Sequence, residues 1–84
     1  MREEEVAMSG ELHDRIEDMK HVIGINIKYN RKIRKMSQQV LSERCNLHRT
    51  YISDLENGKC NPTLNVLMVV ADQLGISLNT LLGI

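Results

Sequence analysis

Apolar residues recur along this chain at helical rather than alternating intervals. Leu12, Ile16, Met19, Ile23 and Ile27 step by four, three, four and four residues. That spacing lays one apolar stripe along a helix. Ser9 is a good N-cap and Glu11 puts an acid in the first turn, so the helix is expected to start there. Gly24 sits inside the stripe at a cost of about 1 kcal/mol relative to Ala. One long helix and two shorter ones therefore both remain open. The segment then turns basic, with Lys28, Arg31, Lys32, Arg34 and Lys35.

Four more helices follow from caps and spacing. Ser37 caps a short one running to Arg44. Asn46, the residue after glycine best able to take a positive φ, ends it. His48 to Asn57 forms the next, with Ile52 and Leu55 inward and Gly58 as its stop. Thr63 caps a helix with Leu64, Leu67, Val70, Ala71 and Leu74 on one face, and Gly75 ends it. Ser77 caps a last short helix carrying Leu78, Leu81 and Leu82. The fold class expected is all-α with five helices. Its distinctive part is a pair of short helices joined by three residues, the arrangement of a DNA-binding helix-turn-helix.

The chain has 84 residues, no Trp, no Phe and two Tyr, so its core must be aliphatic. A single domain this small has a thin stability margin, for which oligomerisation is a common remedy. No apolar run approaches the roughly 18–20 residues that cross a bilayer, and no apolar signal core follows the N-terminus. Two cysteines, Cys45 and Cys60, are too few for a disulfide scaffold, and a cytoplasmic location is expected. With His48 they fit no zinc module. Cys60 is expected in a loop. The three histidines lie on different segments, and neither a Ser-His-Asp set nor a phosphate loop is present. The chain is expected to be no enzyme, to bind no metal or cofactor, and to take no small-molecule substrate.

The formal net charge is zero, but its distribution is uneven. Residues 1–20 hold seven acids against three bases, a balance of −4, and residues 21–84 hold eight bases against four acids, a balance of +4. This divides the chain into an acidic extension (1–20, partly helical after a charged lead) and a basic body (21–84). A basic body suits phosphate binding.

Met36-Ser-Gln-Gln-Val-Leu-Ser-Glu-Arg-Cys-Asn-Leu-His-Arg-Thr-Tyr-Ile-Ser-Asp-Leu-Glu-Asn-Gly-Lys-Cys-Asn-Pro-Thr-Leu64 carries a recognisable pattern. From Gly24 to Leu82 the chain resembles Cro/C1-type (XRE-like) helix-turn-helix transcriptional regulators, the family of phage Cro and repressor proteins. Arg49 to Glu56, followed by Asn61-Pro-Thr-Leu64, is also similar to restriction–modification controller proteins. The resemblance implies a five-helix lambda-repressor-like domain with an added N-terminal extension. Three positions depart from the family pattern: Asn30 for a Leu, Lys35 for a Gly, and His48 for a capping Ser or Thr.

The resemblance makes Ser37 to Asn57 the DNA-reading unit. A recognition helix lays its N-terminal residues into the major groove. Arg49, Thr50, Ser53 and Asp54 are then the base-contact candidates. Arg49 can fork onto guanine O6 and N7, and Asp54 can accept from a cytosine amino group or orient Arg49. Gln38, Arg44, His48, Tyr51, Asn57 and Lys59 are the candidates for phosphate contact, which fixes register without reading sequence. Gln38 has the alternative of bracing the recognition helix, and Tyr51 that of core packing with a wet hydroxyl. Arg31 and Glu56 match an internal ion pair that ties the first helix to the recognition helix. Val66 and Val69 are apolar where the fourth helix is expected to face away from its core. With Leu78, Leu81, Leu82 and Ile84 they form a candidate dimer patch. A two-fold dimer would set two recognition helices about 34 Å apart.

The partners expected are double-stranded DNA and a second copy of the chain, with no membrane. The competing reading is an antitoxin or another partner-binding module on the same fold. The amphipathic residues 9–23 could serve as a dimerisation helix, a partner-binding segment or an arm over basic surface.

Overall fold

The computed structural model describes residues 7–84. The lead containing Arg2, Glu3, Glu4 and Glu5 lies outside the described residues. Among those described, five helices follow in order: α1 (Gly10–Ile33), α2 (Gln38–Cys45), α3 (Arg49–Glu56), α4 (Leu64–Leu74) and α5 (Leu78–Leu82). Each starts on a side-chain cap. The hydroxyls of Ser9, Ser37, Thr63 and Ser77 accept the N–H groups of Leu12, Val40, Val66 and Thr80. His48 caps α3 with its ring, its Nδ1 accepting the Thr50 N–H at 3.1 Å.

The helices also end alike. A left-handed residue follows the last turn in every case, at Lys35, Asn46, Gly58, Gly75 and Gly83. The next residue's N–H then reaches back five positions, as Met36 does to Arg31 and Leu47 to Ser42. This closure satisfies carbonyls that a helix end would otherwise leave open. Lys35, at φ 56°, holds the left-handed region without being glycine. That is the physical content of its departure from the family pattern.

Gly24 does not break α1, which runs unbroken for 24 residues. Its missing side chain is a packing feature. A Cβ there would lie 2.5 Å from the carbonyl oxygen of Glu56 and 2.6 Å from that of Leu55. The end of α3 thus rests directly on the α1 backbone. One turn away, the His21 ring lies against Gly58. Because α1 is continuous, the change from acidic to basic sequence at residue 20 falls within a helix rather than at a joint.

All five helices contribute to the core. Ile23 and Ile27, Leu41 and Cys45, Ile52 and Leu55, Val70, Ala71 and Leu74, and Leu81 form it. A large aliphatic side chain so buried contributes about 1.5–3 kcal/mol. Two expectations are corrected. Leu81, expected at a dimer surface, is 0% exposed, because the short α5 turns it inward against the other helices. Leu64, expected inward, is 64% exposed, because it is the first residue of α4 and stands ahead of the packed turns. Asn30 is buried in the first helix. Its amide donates to the Asn26 carbonyl at 2.8 Å, and its Oδ1 accepts from Arg34.

The contact at Gly24 reverses the usual sign of a glycine-to-alanine change in a helix. Propensity alone would stabilise Gly24→Ala by about 1 kcal/mol. The contact with the α3 carbonyls makes it destabilising instead, by about 1–3 kcal/mol. Urea unfolding followed by circular dichroism measures the sign directly.

Candidate nucleic-acid interface

α2 and α3 are held at a fixed angle by the three residues between them. Asn46 takes φ 55° and ψ 42°, Leu47 is half-buried against the core, and His48 caps α3. Ile52, Leu55 and Glu56 face inward from α3. Helical spacing then turns Arg49, Thr50, Ser53 and Asp54 outward. Arg49 and Thr50 are exposed, and Ser53 and Asp54 are half-buried. Asn57 and Lys59 are exposed at the far end of α3, about 12 Å from its start.

α3 is anchored by a buried ion pair. Arg31 Nε donates to Glu56 Oε2 at 2.6 Å, and its Nη2 donates to Oε1 at 2.9 Å. A third donor, Nη1, reaches the Met36 carbonyl at 2.8 Å. The hydrogen bonds to Glu56 raise the Arg31 pKa above its ordinary value, against the opposing effect of burial. The pair therefore joins the first helix, the α1–α2 corner and the last turn of α3.

Gln38 extends this anchor to the surface. Its amide nitrogen donates to Glu56 Oε1 at 3.1 Å, and its amide oxygen accepts from Arg49 Nη1 at 3.4 Å. A chain of polar contacts thus runs from Arg31 through Glu56 and Gln38 to Arg49. Gln38 stands as a brace here, with both ends of its amide engaged within the chain.

A shallow concavity of about 400 Å³ lies where α2 meets α3. Gln39, Glu43, His48, Arg49 and Thr50 are among its lining residues. Gln39, which donates to Glu43 Oε1 at 3.0 Å, was not among the residues expected at the interface. The signal was present in the inward positions Leu41 and Cys45, which fix the outward face of α2. Arg44 does not line the concavity, since helical periodicity carries it round α2 from Gln39 and Glu43.

Tyr51 is half-buried and packs its ring on the core. Its hydroxyl lies beside the Cys60 thiol. Burial chiefly raises both pKa values, so both groups are neutral at pH 7. Burial likewise raises the thiol of Cys45, a core residue. On α4, α5 and the residues that follow, Val69 and Ile84 are exposed, whereas Val66, Leu78 and Leu82 are half-buried against the core.

The helix-turn-helix family profile matches residues 27–81, well over half of the chain. This protein belongs to the helix-turn-helix family. The helix-turn-helix chain is 43% identical over 61 residues to the immunity repressor protein of Bacillus phage phi105. That match covers 73% of this chain but only 42% of the phage protein, so the chain spans less than half of that relative. It is 38% identical over 65 residues to control protein C.SmaI of Serratia marcescens, with 77% of each covered. Its fold superposes on the restriction-modification controller protein C.AhdI of Aeromonas hydrophila with a TM-score of 0.71. There the identity is 26%, over 74% of this chain and 94% of that one. The family is thus that of DNA-binding repressors and controllers of transcription.

The ion pair makes a strong demand on stability. Glu56→Gln leaves the Arg31 guanidinium buried with part of its partner gone, and should cost about 3 kcal/mol or more. Replacing both residues by apolar ones, Arg31→Met with Glu56→Leu, should cost less than the single change. Chemical denaturation of the three proteins checks the order.

Proposed function

We propose that this chain is a sequence-specific double-stranded DNA-binding transcription regulator, a repressor or autoregulator, acting as a dimer on a palindromic operator in the cytoplasm. The observation that carries the reading is the outer face of α3. Arg49 and Thr50 stand exposed at its N-terminal end, the part of such a helix that enters the major groove.

In this reading Arg49 reads a guanine through O6 and N7. Gln38 keeps its guanidinium from swinging free, so less rotamer freedom is lost on binding. Thr50 meets a thymine methyl or a base-edge acceptor, and Ser53 and Asp54 face the next bases along. His48, Asn57 and Lys59 hold phosphates at the two ends of α3. Tyr51 supports that edge from within the fold, Gln38 acts through Arg49, and Arg44 touches DNA only at the flank. The net charge of zero is no obstacle, because seven of the eleven acids lie in residues 1–20.

A palindromic operator asks for two recognition helices related by a two-fold axis, about 34 Å apart. On the C-terminal side, Val69 and Ile84 remain available to a second copy, Val66, Leu78 and Leu82 offer half-buried edges, and Leu81 offers none. The relatives that support the reading are a phage immunity repressor and control proteins.

A selection from random duplexes should return an operator with two inverted half-sites. Arg49→Ala should then lose discrimination at one or two base pairs per half-site, worth about 1–3 kcal/mol each. Lys59→Ala should weaken binding to every sequence and lower the salt slope by about one. No salt-dependent binding to any duplex would defeat the proposal.

A further inference from the structure

The first half of α1 lies outside the span 27–81 that matches the family. Its packing nevertheless carries it along the edge of the DNA-reading unit. Gly24 faces the carbonyls of Leu55 and Glu56, and one turn earlier the His21 ring lies against Gly58. Lys20 follows, close enough to Cys60 for its charge to act on the thiol. α1 therefore runs past the end of α3 and on beside the loop of residues 57–63 that leads to α4. Ile16, Glu17 and Lys20 are half-buried, whereas Asp14, Arg15, Asp18 and Met19 are exposed. The half-buried positions continue the face that carries Ile23, Gly24 and Ile27.

Cys60 marks where this face meets α3. Burial chiefly raises its thiol, the Asp54 charge raises it further, and the Lys20 charge opposes both. Asp54 belongs to the outward set of α3, and the exposed Lys59 precedes Cys60 in the chain. The Lys20 ammonium thus stands at the same edge as one base-contact candidate and one phosphate-contact candidate.

That ammonium is engaged within α1. Lys20 Nζ donates to Glu17 Oε1 at 2.9 Å, with the Lys20 side chain 16% exposed and that of Glu17 39%. The hydrogen bond from Lys20 chiefly holds the Glu17 carboxyl below its ordinary range, against desolvation, and the charges of Lys20, His13 and His21 add to it. Glu17 is therefore ionised at neutral pH. An ion pair this close to water contributes little to stability. It does, however, place a carboxylate oxygen on the ammonium where a phosphate oxygen would otherwise sit, with the same charge and the same acceptor chemistry.

We propose that Lys20 is a further phosphate contact of the DNA interface, and that the Glu17 carboxylate occupies its place until a phosphate displaces it. The inference rests on the DNA-binding reading above and deepens it. One strand of a duplex advances about 3.4 Å per phosphate, so cations along one edge of a protein meet successive phosphates. Lys59 takes one, and Lys20, on the neighbouring helix beside Cys60, takes another on the same strand. The four-carbon stem of lysine is flexible, so the ammonium turns from Glu17 to the strand with no movement of α1. One charge-assisted hydrogen bond replaces another, and Glu17 returns to water. Because a phosphate contact positions without reading sequence, both residues set affinity for every duplex alike.

Fluorescence anisotropy on the 84-residue chain tests the exchange, with the selected operator and an unrelated duplex over a range of salt. Thermal melting establishes that each variant folds. Lys20→Gln keeps the packed stem and removes the charge. It should weaken binding to both duplexes by about five- to tenfold near 0.1 M salt and lower the salt slope by about one. Phosphate-ethylation interference should lose one position near the phosphate held by Lys59. Glu17→Gln should tighten binding to both duplexes by about two- to fivefold, because the competing carboxylate is gone. Asp18→Asn removes the same charge from an exposed position off this face, and should change binding by less than about twofold. Unchanged affinity, slope and ethylation pattern in Lys20→Gln would overturn the proposal. So would a Glu17→Gln variant that binds no more tightly than the wild type. An Asp18→Asn variant that tightens as much as Glu17→Gln would also overturn it, since the acids would then act as a diffuse field. All these outcomes are read against a wild type that binds DNA. A wild type without salt-dependent binding would defeat the DNA reading itself, and this inference with it.

Discussion

The bidentate pair of Arg31 and Glu56 is the interaction on which the arrangement depends. The two residues lie 25 positions apart, on the first helix and at the end of the recognition helix. A charge pair removed from water gains stability only if its remaining hydrogen-bonding groups are satisfied. Here they are met by the Met36 carbonyl and the Gln38 amide. Those two partners belong to the α1–α2 corner and the first turn of α2. The demands of one buried charge thus fix α1, α2 and α3 relative to one another, and Gln38 passes the constraint on to Arg49.

α1 serves as a two-sided plate. One side approaches α3 so closely that only glycine fits at residue 24. Its inner residues Ile23 and Ile27 enter the core, and Asn26 caps the carbonyls of α5 from the edge. On the remaining side Leu12, Met19, Ile25, Tyr29 and Ile33 stand exposed among charged residues. A small domain whose longest helix exposes such side chains has a physical reason to associate.

Much of the fold was legible because helices announce their ends. Ser9, Ser37, Thr63 and Ser77 are good caps, and Asn46, Gly58 and Gly75 are good stops. The residues left undecided were those whose meaning depends on a distant neighbour. Gly24 reads as a weak point by propensity and becomes intelligible only once the α3 carbonyls stand over it. Lys35 gives no sign of a left-handed φ by its own residue type, and only the glycine of the family pattern hints at the corner that the Met36 N–H closes. Leu81 and Leu64 were misplaced because a five-residue helix and a first turn do not show which way they face. The outward set on α3 came from the family resemblance and agrees with the inward positions of Ile52 and Leu55, whereas the link through Gln38 required the coordinates of three elements at once.

Arg49, held by Gln38 at the end of this polar chain, is proposed to read a guanine in the major groove. Guanine methylation interference on the selected operator tests it most directly. The wild type should be blocked by N7 methylation at one guanine in each half-site, and Arg49→Ala should lose that block while keeping the wild-type pattern of phosphate-ethylation interference. An operator with no methylation-sensitive guanine, or the same interference pattern in both proteins, would contradict the account.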